Sequence, residues 1–196
     1  VSVQRRFVGP GKVAAVFQIE PGRRFRIGTI SITGNQITHD KVIRRVLDED
    51  DFTPGQWYNA DLARGDGQGQ LEKDLRQIVM AESAFIQAAG EGEDFRNATV
   101  NIEEGQTGSI MFGAGVASDS GLIGQVAFNQ RNFDIFSWPD SLRDIFYGNA
   151  FRGAGQTLQV SFEPGTEQSR FSISFTEPYL YDQPVSLSVV ASRVQR

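Results

Sequence analysis

Five runs of alternating side chains between residues 107 and 191 constrain the fold of this chain more than any other feature. In the first run, the even positions from Ile110 to Val116 are apolar, whereas the odd positions from Ser109 onward are mostly small. Four more runs repeat the alternation; they cover residues 122–129, 157–163, 170–176 and 185–191. Successive side chains of a strand point to opposite faces, so the pattern predicts a sheet with one apolar face and one wetter face.

Two architectures satisfy such a sheet. A soluble sandwich would turn the apolar face inward, and a membrane barrel would turn the same face outward. The length of the runs suits membrane strands of about 9–11 residues. The alternation alone does not choose between the two architectures, because the signal of each barrel strand is weak.

Composition narrows the classes of function. The net charge of −5 argues against nucleic acid as the main partner, and the absence of cysteine excludes disulfides, thiol catalysis and Cys-bound zinc. No run approaches the ~18 apolar residues of a membrane helix, so any membrane span would be a strand. The first eleven residues lack the apolar stretch of a signal peptide. We therefore expect that, if the protein is exported, this chain is an interior part of a longer one.

Residues typical of active sites are scarce. His39 is the only histidine, and it falls in the first turn of a predicted helix. A Ser-His-Asp or metal site needs a histidine with converging partners. The acidic run 48–51 lacks the glycine and terminal glutamate of a calcium loop. We interpret both features as solvent-exposed helix positions, and the sequence predicts no enzyme, cofactor site or metal site.

Residues 23–106 predict one α+β unit in the order strand–helix–helix–strand–strand. The opening strand covers 25–33, and Thr38 is the predicted N-cap of the first helix. Each helix carries an apolar stripe; the stripes are Val42, Ile43, Val46 and Leu47 in the first helix, and Leu71, Leu75, Ile78 and Val79 in the second. The last two strands are predicted over 85–89 and 98–103.

The second helix contains an internal conflict. It is predicted to start near Asn59, yet Gly65, Gly67 and Gly69 fall within it. Each glycine costs a helix roughly 1 kcal/mol relative to alanine. We therefore expect a late start, a kink or a loop at these glycines.

A short internal sequence similarity, here called the echo, links the start of the chain to the end of this unit. Residues 12–22 and 97–105 are both alternating stretches that close on an acidic residue and a glycine. The echo indicates either a small-domain repeat, of which the first copy retains only its last strand, or chance.

The longest connection, Asn132–Gly155, is rich in aromatic side chains. A helix is predicted from Pro139–Ser141 onward, and six aromatic residues surround it: Phe133, Phe136, Trp138, Phe146, Tyr147 and Phe151. One interpretation places this segment at a membrane interface, where Trp and Tyr accumulate. The other is a short helix that caps the open end of a soluble sheet.

The chain as a whole resembles the junction between the last periplasmic POTRA domain and the barrel start in the BamA family of outer-membrane assembly factors. FRIGTISITGN at 25–35, followed by 37–47, is similar to a POTRA opening strand, turn and first helix. EEGQTG at 103–108 resembles the passage into the first barrel strand. QRNF at 130–133 and FTEPYL at 175–180 resemble the ends of the second and fourth barrel strands. The matches follow one another in the right order over about 170 residues of the sequence.

Three features depart from the family pattern. The glycine-rich segment 64–69 is unusual for a second POTRA helix, and the connection 132–155 is far longer than the usual periplasmic turn. Most of the barrel is absent, including the inward-folding loop with its Arg-Gly-Phe-like motif. Such a truncated sheet has raw edges and a large apolar face, so we expect it to be disordered, aggregated or paired with another copy without the remaining strands.

The resemblance implies three segments: 1–22, the end of a preceding POTRA domain; 23–106, a POTRA domain; and 107–196, the first antiparallel strands of an incomplete transmembrane β-barrel. It also implies that one set of side chains faces lipid: Ile110, Phe112, Val126, Phe128, Val160, Phe162, Phe171, Ile173, Phe175 and Leu187. Asp119 and Gly165 would lie in external loops, and the connections 132–155 and 179–184 in the periplasm.

The function implied by the resemblance is the folding and insertion of β-barrel proteins into the bacterial outer membrane, without covalent chemistry. Implied partners are unfolded outer-membrane proteins, accessory assembly lipoproteins and outer-membrane lipid. Client strands would pair with backbone edges at two places: Phe85, Ile86, Gln87 and Ala88 of the POTRA sheet, and Ser109, Ile110, Met111, Phe112 and Gly113 of the first barrel strand. Two alternatives remain, a polypeptide-secretion pore of the same superfamily and a soluble β-sandwich binding module.

Overall fold

The computed structural model describes residues 2–10, 12–18, 23–90, 94–118, 121–139, 141, 143–144 and 150–196. They form a two-stranded hairpin, a three-stranded α+β unit and a five-stranded sheet. The hairpin consists of β1 (Ser2–Gly9) and β2 (Lys12–Gln18), which pair antiparallel. Residues 19–22 lie outside the described residues, so the end of the first copy of the echo cannot be followed beyond β2.

The α+β unit has the predicted order of elements. They are β3 (Arg26–Thr33), α1 (Asp40–Glu49), α2 (Gln70–Val79), β4 (Ala81–Ala88) and β5 (Phe95–Glu104). The central strand β5 runs parallel to β3 and antiparallel to β4, so β3 and β4 are the two edge strands. The parallel pair requires a crossover, and the two helices supply it.

One hydrophobic core holds this unit together. The predicted stripe of α1 is buried in full, and Leu71, Leu75 and Val79 of α2 are buried against alternate residues of the three strands. Ile78 is different, because its side chain is 41% exposed. The stripe of α2 is therefore narrower than the sequence indicated, and Ile78 turns toward the second sheet.

The beginnings of the helices differ from the expectation. The helix α2 starts at Gln70, so its predicted start near Asn59 is wrong and the predicted loop at the glycines is confirmed. The N-cap of α1 is His39 rather than Thr38, and no side chain caps it. The Thr38 hydroxyl instead accepts a hydrogen bond from Asn132 Nδ2 at 2.8 Å.

The second sheet is antiparallel and follows chain order. Its strands are β6 (Gly108–Ala117), β7 (Gly121–Phe133), β8 (Gln156–Glu163), β9 (Ser169–Glu177) and β10 (Leu187–Gln195). The strands β6 and β10 form the two edges, so the barrel is not closed. In the described ranges no second sheet stacks on the five strands, and Phe112 is 79% exposed. The soluble sandwich is therefore not the fold.

Two strands differ in extent from the predicted runs. The strand β7 continues to Phe133, and β10 begins at Leu187 because Val185 belongs to a turn that joins Leu180 and Gln183. Most of the predicted helix after Pro139 and the external loop at Asp119 lie outside the described residues. No helix in the described part of the chain is long and apolar enough to span a membrane.

Candidate strand-pairing edges and the junction between the sheets

The first candidate edge is β6. The Arg131 N–H donates to the Thr107 carbonyl at 2.9 Å, so residues 107 and 131 form a hydrogen-bonded pair. Backbone groups alternate in direction along an antiparallel strand. Ser109, Met111 and Gly113 therefore direct their N–H and C=O groups toward β7, whereas Ile110 and Phe112 direct theirs outward. Of the five predicted pairing positions, two present free backbone groups to an incoming strand.

The second candidate edge is β4. The Ile86 N–H donates to Glu72 Oε1 at 2.9 Å and the Ala89 N–H donates to the Asn97 carbonyl at 2.7 Å, which fixes the direction of both sets of groups. Ala84, Ile86 and Ala88 face outward, and Phe85 and Gln87 face β5. The outward N–H of Ile86 is already engaged by Glu72. Of the four predicted positions on β4, only Ala88 has an outward N–H and C=O that do not contact Glu72.

The apolar side chains of the second sheet gather on one face. Direct partners across a sheet share a face, and the register pairs Ile110 with Phe128, Phe128 with Val160, and Val160 with Ile173. The same register brings all ten predicted lipid-facing residues together: Ile110, Phe112, Val126, Phe128, Val160, Phe162, Phe171, Ile173, Phe175 and Leu187. Arg193, opposite Phe171, lies on this face too.

The opposite face is polar and internally hydrogen-bonded. The hydroxyl groups of Ser161 and Ser172 lie 2.7 Å apart, and those of Thr176 and Ser188 lie 3.0 Å apart. Arg170 Nη1 is 3.4 Å from Glu163 Oε2 at the far end of the same face. The sheet therefore has the two-sided character that its sequence predicted.

A carboxylate organises the junction between the two sheets. Glu104, the last residue of β5, accepts hydrogen bonds from the backbone N–H groups of Gln36, Ile37 and Thr38 at 3.0, 3.0 and 2.6 Å. Burial disfavours the charged form of this carboxyl, but the hydrogen bonds outweigh burial and lower its pKa. Arg152 Nη2 donates to the next carbonyl, that of Gly105, at 2.7 Å.

Asn132 connects the long β7–β8 connection to the start of α1. Its side chain is 2% exposed, and its backbone has a φ of 50°. Nδ2 donates to Thr38, Oδ1 accepts the Gly155 N–H at 2.9 Å, and the carbonyl accepts the Gly153 N–H at 2.8 Å. The Gly153 carbonyl in turn accepts the His39 N–H at 2.9 Å. The connection thus folds back onto the beginning of the helix.

Aromatic contacts stabilise the described part of this connection. Phe133 stacks on Phe151 with ring centroids 5.9 Å apart, and Trp138 meets Phe151 edge-on at 5.5 Å. Phe133 also contacts Phe175 of β9 at 6.2 Å. Phe136 is exposed, and Phe146 and Tyr147 lie outside the described side chains.

The turn after β9 contacts the other end of α1. The Arg45 guanidinium lies 4.6 Å from the centre of the Tyr179 ring, and Arg45 also pairs with Asp182. Lys41 Nζ is 3.9 Å from the same carboxylate. The hydrogen bond from Arg45 and the positive charge of Lys41 lower the pKa of Asp182. The Tyr179 hydroxyl donates to Glu49, which completes the contact.

A cavity of about 230 Å³ lies between α1 and the lower ends of β7, β8 and β9. Val46, Ile78 and Tyr179 give it an apolar lining, and Arg131 lies in its wall. No set of three or more His, Asp or Glu side chains in the described residues could hold a metal ion. His39 is half-exposed, with Nε2 3.5 Å from Asp134 Oδ2.

Sequence reasoning missed Glu72, Glu104 and Asn132 as residues that organise the site. The sequence does not distinguish a glutamate that is buried within a helix from one that is exposed on its surface. Asn132 offered a weak signal, because asparagine tolerates a positive φ better than most residues. Its partner Thr38, which lies just before α1, is 94 positions away, and only the fold brings the two together.

Comparison with protein families supports this geometry. A family model described as POTRA, surface antigen variable number repeat, matches residues 25–105. A second, described as the Omp85 superfamily domain, matches residues 150–195. The first match covers the α+β unit, and the second covers three strands of the open sheet.

Individual proteins give the same result. The chain is 29% identical over 170 residues to the outer membrane protein assembly factor BamA of Buchnera aphidicola, and 28% identical over 172 residues to that of Neisseria meningitidis. These matches cover 86% and 88% of the chain but only 24% and 19% of the relatives. The crystal structure of BamA from Haemophilus ducreyi lacking POTRA domains 1–3 shares the fold, with a TM-score of 0.70 at 23% identity, over 98% of this chain and 32% of that one.

These findings define the class of protein first. The chain is an outer-membrane protein with a POTRA domain that lies in the periplasm, followed by an open five-stranded sheet of which residues 150–195 match the Omp85 superfamily domain. Within this superfamily the chain is similar to BamA assembly factors, as the resemblance in its sequence indicated.

Proposed function

We propose that this protein folds β-barrel proteins and inserts them into the outer membrane, and that β6 supplies the edge on which client strands pair. The observation that supports the proposal is the direction of the backbone groups on β6, where Ile110 and Phe112 turn theirs away from β7 beside an apolar face. An unpaired edge is a template for another strand. The name of the similar proteins, assembly factor, supports the same role.

The segments of the chain follow from this proposal. Residues 107–196 are the membrane part, and their ten co-facial apolar side chains contact lipid. Residues 23–106 are the periplasmic domain, and residues 1–22 end a preceding POTRA domain. The partners are unfolded outer-membrane proteins, accessory assembly lipoproteins and the lipid around the sheet. The role requires strand pairing and local thinning of the membrane, and it requires no covalent chemistry.

The POTRA edge β4 is the second proposed pairing surface. Extended segments add to sheet edges through main-chain hydrogen bonds, and Ala84 and Ala88 direct such groups outward. Side-chain substitutions on β4 would therefore matter less than a proline at an outward position.

Reconstitution tests the proposed function directly. The protein is placed in vesicles of outer-membrane lipid and given a urea-denatured porin, and folding is followed by the heat-modifiable mobility of the porin on a gel. We expect the rate of porin folding to rise above that of empty vesicles. A rate equal to that of empty vesicles contradicts the proposal.

The role of β6 is tested by two substitutions at one position. In Ile110→Pro the outward N–H is lost, whereas in Ile110→Ala the side chain shrinks and the N–H remains. Proline is tolerated on an edge strand where its nitrogen faces away from the sheet. We expect the proline variant to lose the stimulation of porin folding and the alanine variant to keep most of it. Equal activity of the two variants would contradict the proposed role of β6 as the pairing edge.

The alternative of a secretion pore is decided in the same vesicles. A pore would translocate an unfolded secreted passenger into the vesicle lumen, where added protease cannot reach it. Porin folding without passenger protection supports assembly. If the passenger is protected from protease and the porin does not fold, the protein is a secretion pore and the proposed assembly function is wrong.

A further inference from the structure

We propose that residues 64–69, here called the glycine strap, close the β4 edge and must leave it before a client strand can pair there. This inference rests on the proposed function, because it concerns how the POTRA edge of that function is exposed. The strap, Arg-Gly-Asp-Gly-Gln-Gly, lies between the two helices and along the outer side of β4.

The strap occupies the position of a neighbouring strand. A Cβ atom on Gly65 would lie 3.3 Å from the Ile86 carbonyl oxygen, and one on Gly67 would lie 3.1 Å from the Phe85 ring and 3.6 Å from the Ala84 carbonyl oxygen. Paired strands are about 4.7–4.9 Å apart. A strand cannot pair along Ala84–Ile86 while the strap is in place.

Glycine avoids backbone strain at both points of contact. Gly65 and Gly67 have φ values of 79° and 75°, which side chains disfavour. The glycines that made this segment unusual in sequence therefore allow its backbone to lie against β4.

One buried carboxylate holds the strap to the edge. Glu72, which is 0% exposed, accepts the Gly65 N–H and the Ile86 N–H on Oε1 at 2.7 and 2.9 Å, and the Gly69 N–H on Oε2 at 2.9 Å. Arg76 Nη2 adds a hydrogen bond to the Gly67 carbonyl at 2.8 Å. The same carboxylate thus fixes both ends of the strap and satisfies an edge N–H.

The strap can open without unfolding the core. It contributes no apolar side chain, and Arg64, Asp66 and Gln68 are exposed. Segments with few buried apolar contacts open locally at lower free energy than the core. Release of the strap would free the outward groups of Ala84 and Ile86, which then extend the edge that begins at Ala88.

The test locks the strap in place. The chain has no cysteine, and a Cβ atom on Gly65 would lie 3.7 Å from Gln87 Cγ, so a Gly65→Cys/Gln87→Cys pair is suited to a disulfide between strap and edge. The probe is a synthetic peptide of the β9 sequence, SRFSISFTE, with a photo-crosslinker at its central residue. Crosslinks to β4 and to β6 are mapped by mass spectrometry on the full chain in lipid.

The same variant in dithiothreitol is the control for the strain of the substitutions. We expect crosslinks to β4 to fall to background when the disulfide is closed and to return on reduction, while crosslinks to β6 stay constant. Equal crosslinking to β4 in both states overturns the proposal.

A second variant opens the strap. Glu72→Gln keeps the shape of the side chain but removes its charge and one acceptor, and Glu82→Gln on the exposed face of β4 is the matched control. We expect faster hydrogen exchange at the Ile86 amide and several-fold more crosslinking to β4 in the first variant alone. Unchanged exchange at Ile86 overturns the role of Glu72.

The outcomes separate this inference from the proposed function. If the Ile86 amide becomes exchangeable but no variant crosslinks at β4, the strap is not a gate for strands, and crosslinks to β6 would still support assembly. If neither edge crosslinks, strand pairing fails at both sites and the proposed mechanism fails with it.

Discussion

At the scale of residues, a few polar side chains order the segment before α1, where the POTRA domain meets the second sheet. Glu104 closes the end of β5 and binds three successive N–H groups before α1, and Asn132 binds Thr38 from the other side. Hydrogen bonds to a charged group each contribute about 1.5–3 kcal/mol. A few such hydrogen bonds therefore contribute substantially to the free energy of folding of this region.

The first prediction concerns Glu104. Glu104→Gln leaves one acceptor oxygen where two now serve three donors, and we expect it to lower the free energy of unfolding by about 1.5–3 kcal/mol. Glu103→Gln, at a neighbouring position on β5 whose exposed carboxylate accepts a hydrogen bond from the Ser83 hydroxyl at 3.1 Å, should change it far less. Urea unfolding followed by tryptophan fluorescence measures both. Equal losses in the two variants would contradict a special role for Glu104.

The second prediction concerns the pH dependence of the same residue. Because the folded-state pKa of Glu104 is lowered, its contribution is complete above the ordinary glutamate pKa of about 4.3 and is lost as pH falls through the lowered value. Wild-type stability should therefore fall more steeply than that of Glu104→Gln over this acidic range. Unfolding curves between neutral and acidic pH test this, and parallel curves would contradict it.

The third prediction separates the two properties of Asn132. Asn132→Gly retains the positive φ and loses the side-chain hydrogen bonds, whereas Asn132→Ala loses the hydrogen bonds and strains the backbone as well. The left-handed conformation costs a residue with a Cβ roughly 1–2 kcal/mol. We expect the alanine variant to be less stable than the glycine variant by about that amount. A glycine variant no more stable than the alanine variant would show that backbone conformation is not limiting.

At the scale of elements, the alternation of side chains predicted the five membrane strands well, because a period of two is a local property. It also predicted which residues share a face, since one register aligns them. The boundaries were less accessible: Val185 continued the apolar pattern of β10 but lies in a turn that is fixed by contacts with Leu180 and Gln183. The helix α1 starts one residue later than predicted, and the Thr38 hydroxyl accepts a hydrogen bond from Asn132, which is distant in sequence, instead of capping the helix.

The fourth prediction belongs to β6. In Met111→Pro an N–H directed at β7 is lost, and in Phe112→Pro an N–H directed outward is lost. An unsatisfied carbonyl inside a membrane costs several kcal/mol. We expect Met111→Pro to prevent stable insertion of the sheet and Phe112→Pro to be tolerated, as measured by protease protection in vesicles. The reverse result would mean that the directions of the backbone groups on β6 are exchanged.

At the scale of the whole molecule, the apolar face and the periplasmic domain set the orientation of the chain. In the proposed arrangement, lipid contacts one face of the sheet, and the POTRA domain lies beyond the end of the sheet where β7 meets α1. The sequence predicted this division of the chain, but it could not predict that α1 contacts both lower connections, because those contacts join residues about 90 to 140 positions apart.

The fifth prediction tests the lipid-facing side. Val160 and Gln159 are neighbours on β8 and point to opposite faces. Lysine at the centre of a lipid-facing surface costs about 2–4 kcal/mol, whereas lysine on the other face is tolerated. We expect Val160→Lys to reduce insertion into vesicles and Gln159→Lys to insert as the wild type does. Equal insertion of the two variants would contradict the proposed lipid contact.

The hydrogen bonds between the β7–β8 connection and the segment before α1 couple movement of the POTRA domain to the second sheet. Asn132 donates to Thr38 and the Gly153 carbonyl accepts the His39 N–H, both directly before α1, and β7 runs from this point alongside β6. A force that tilts the periplasmic domain is therefore applied as a pull along β7, in the direction that shears its ladder with β6. The edge strand β6 pairs only with β7 in this sheet, so it is the first strand to which β7 passes that force.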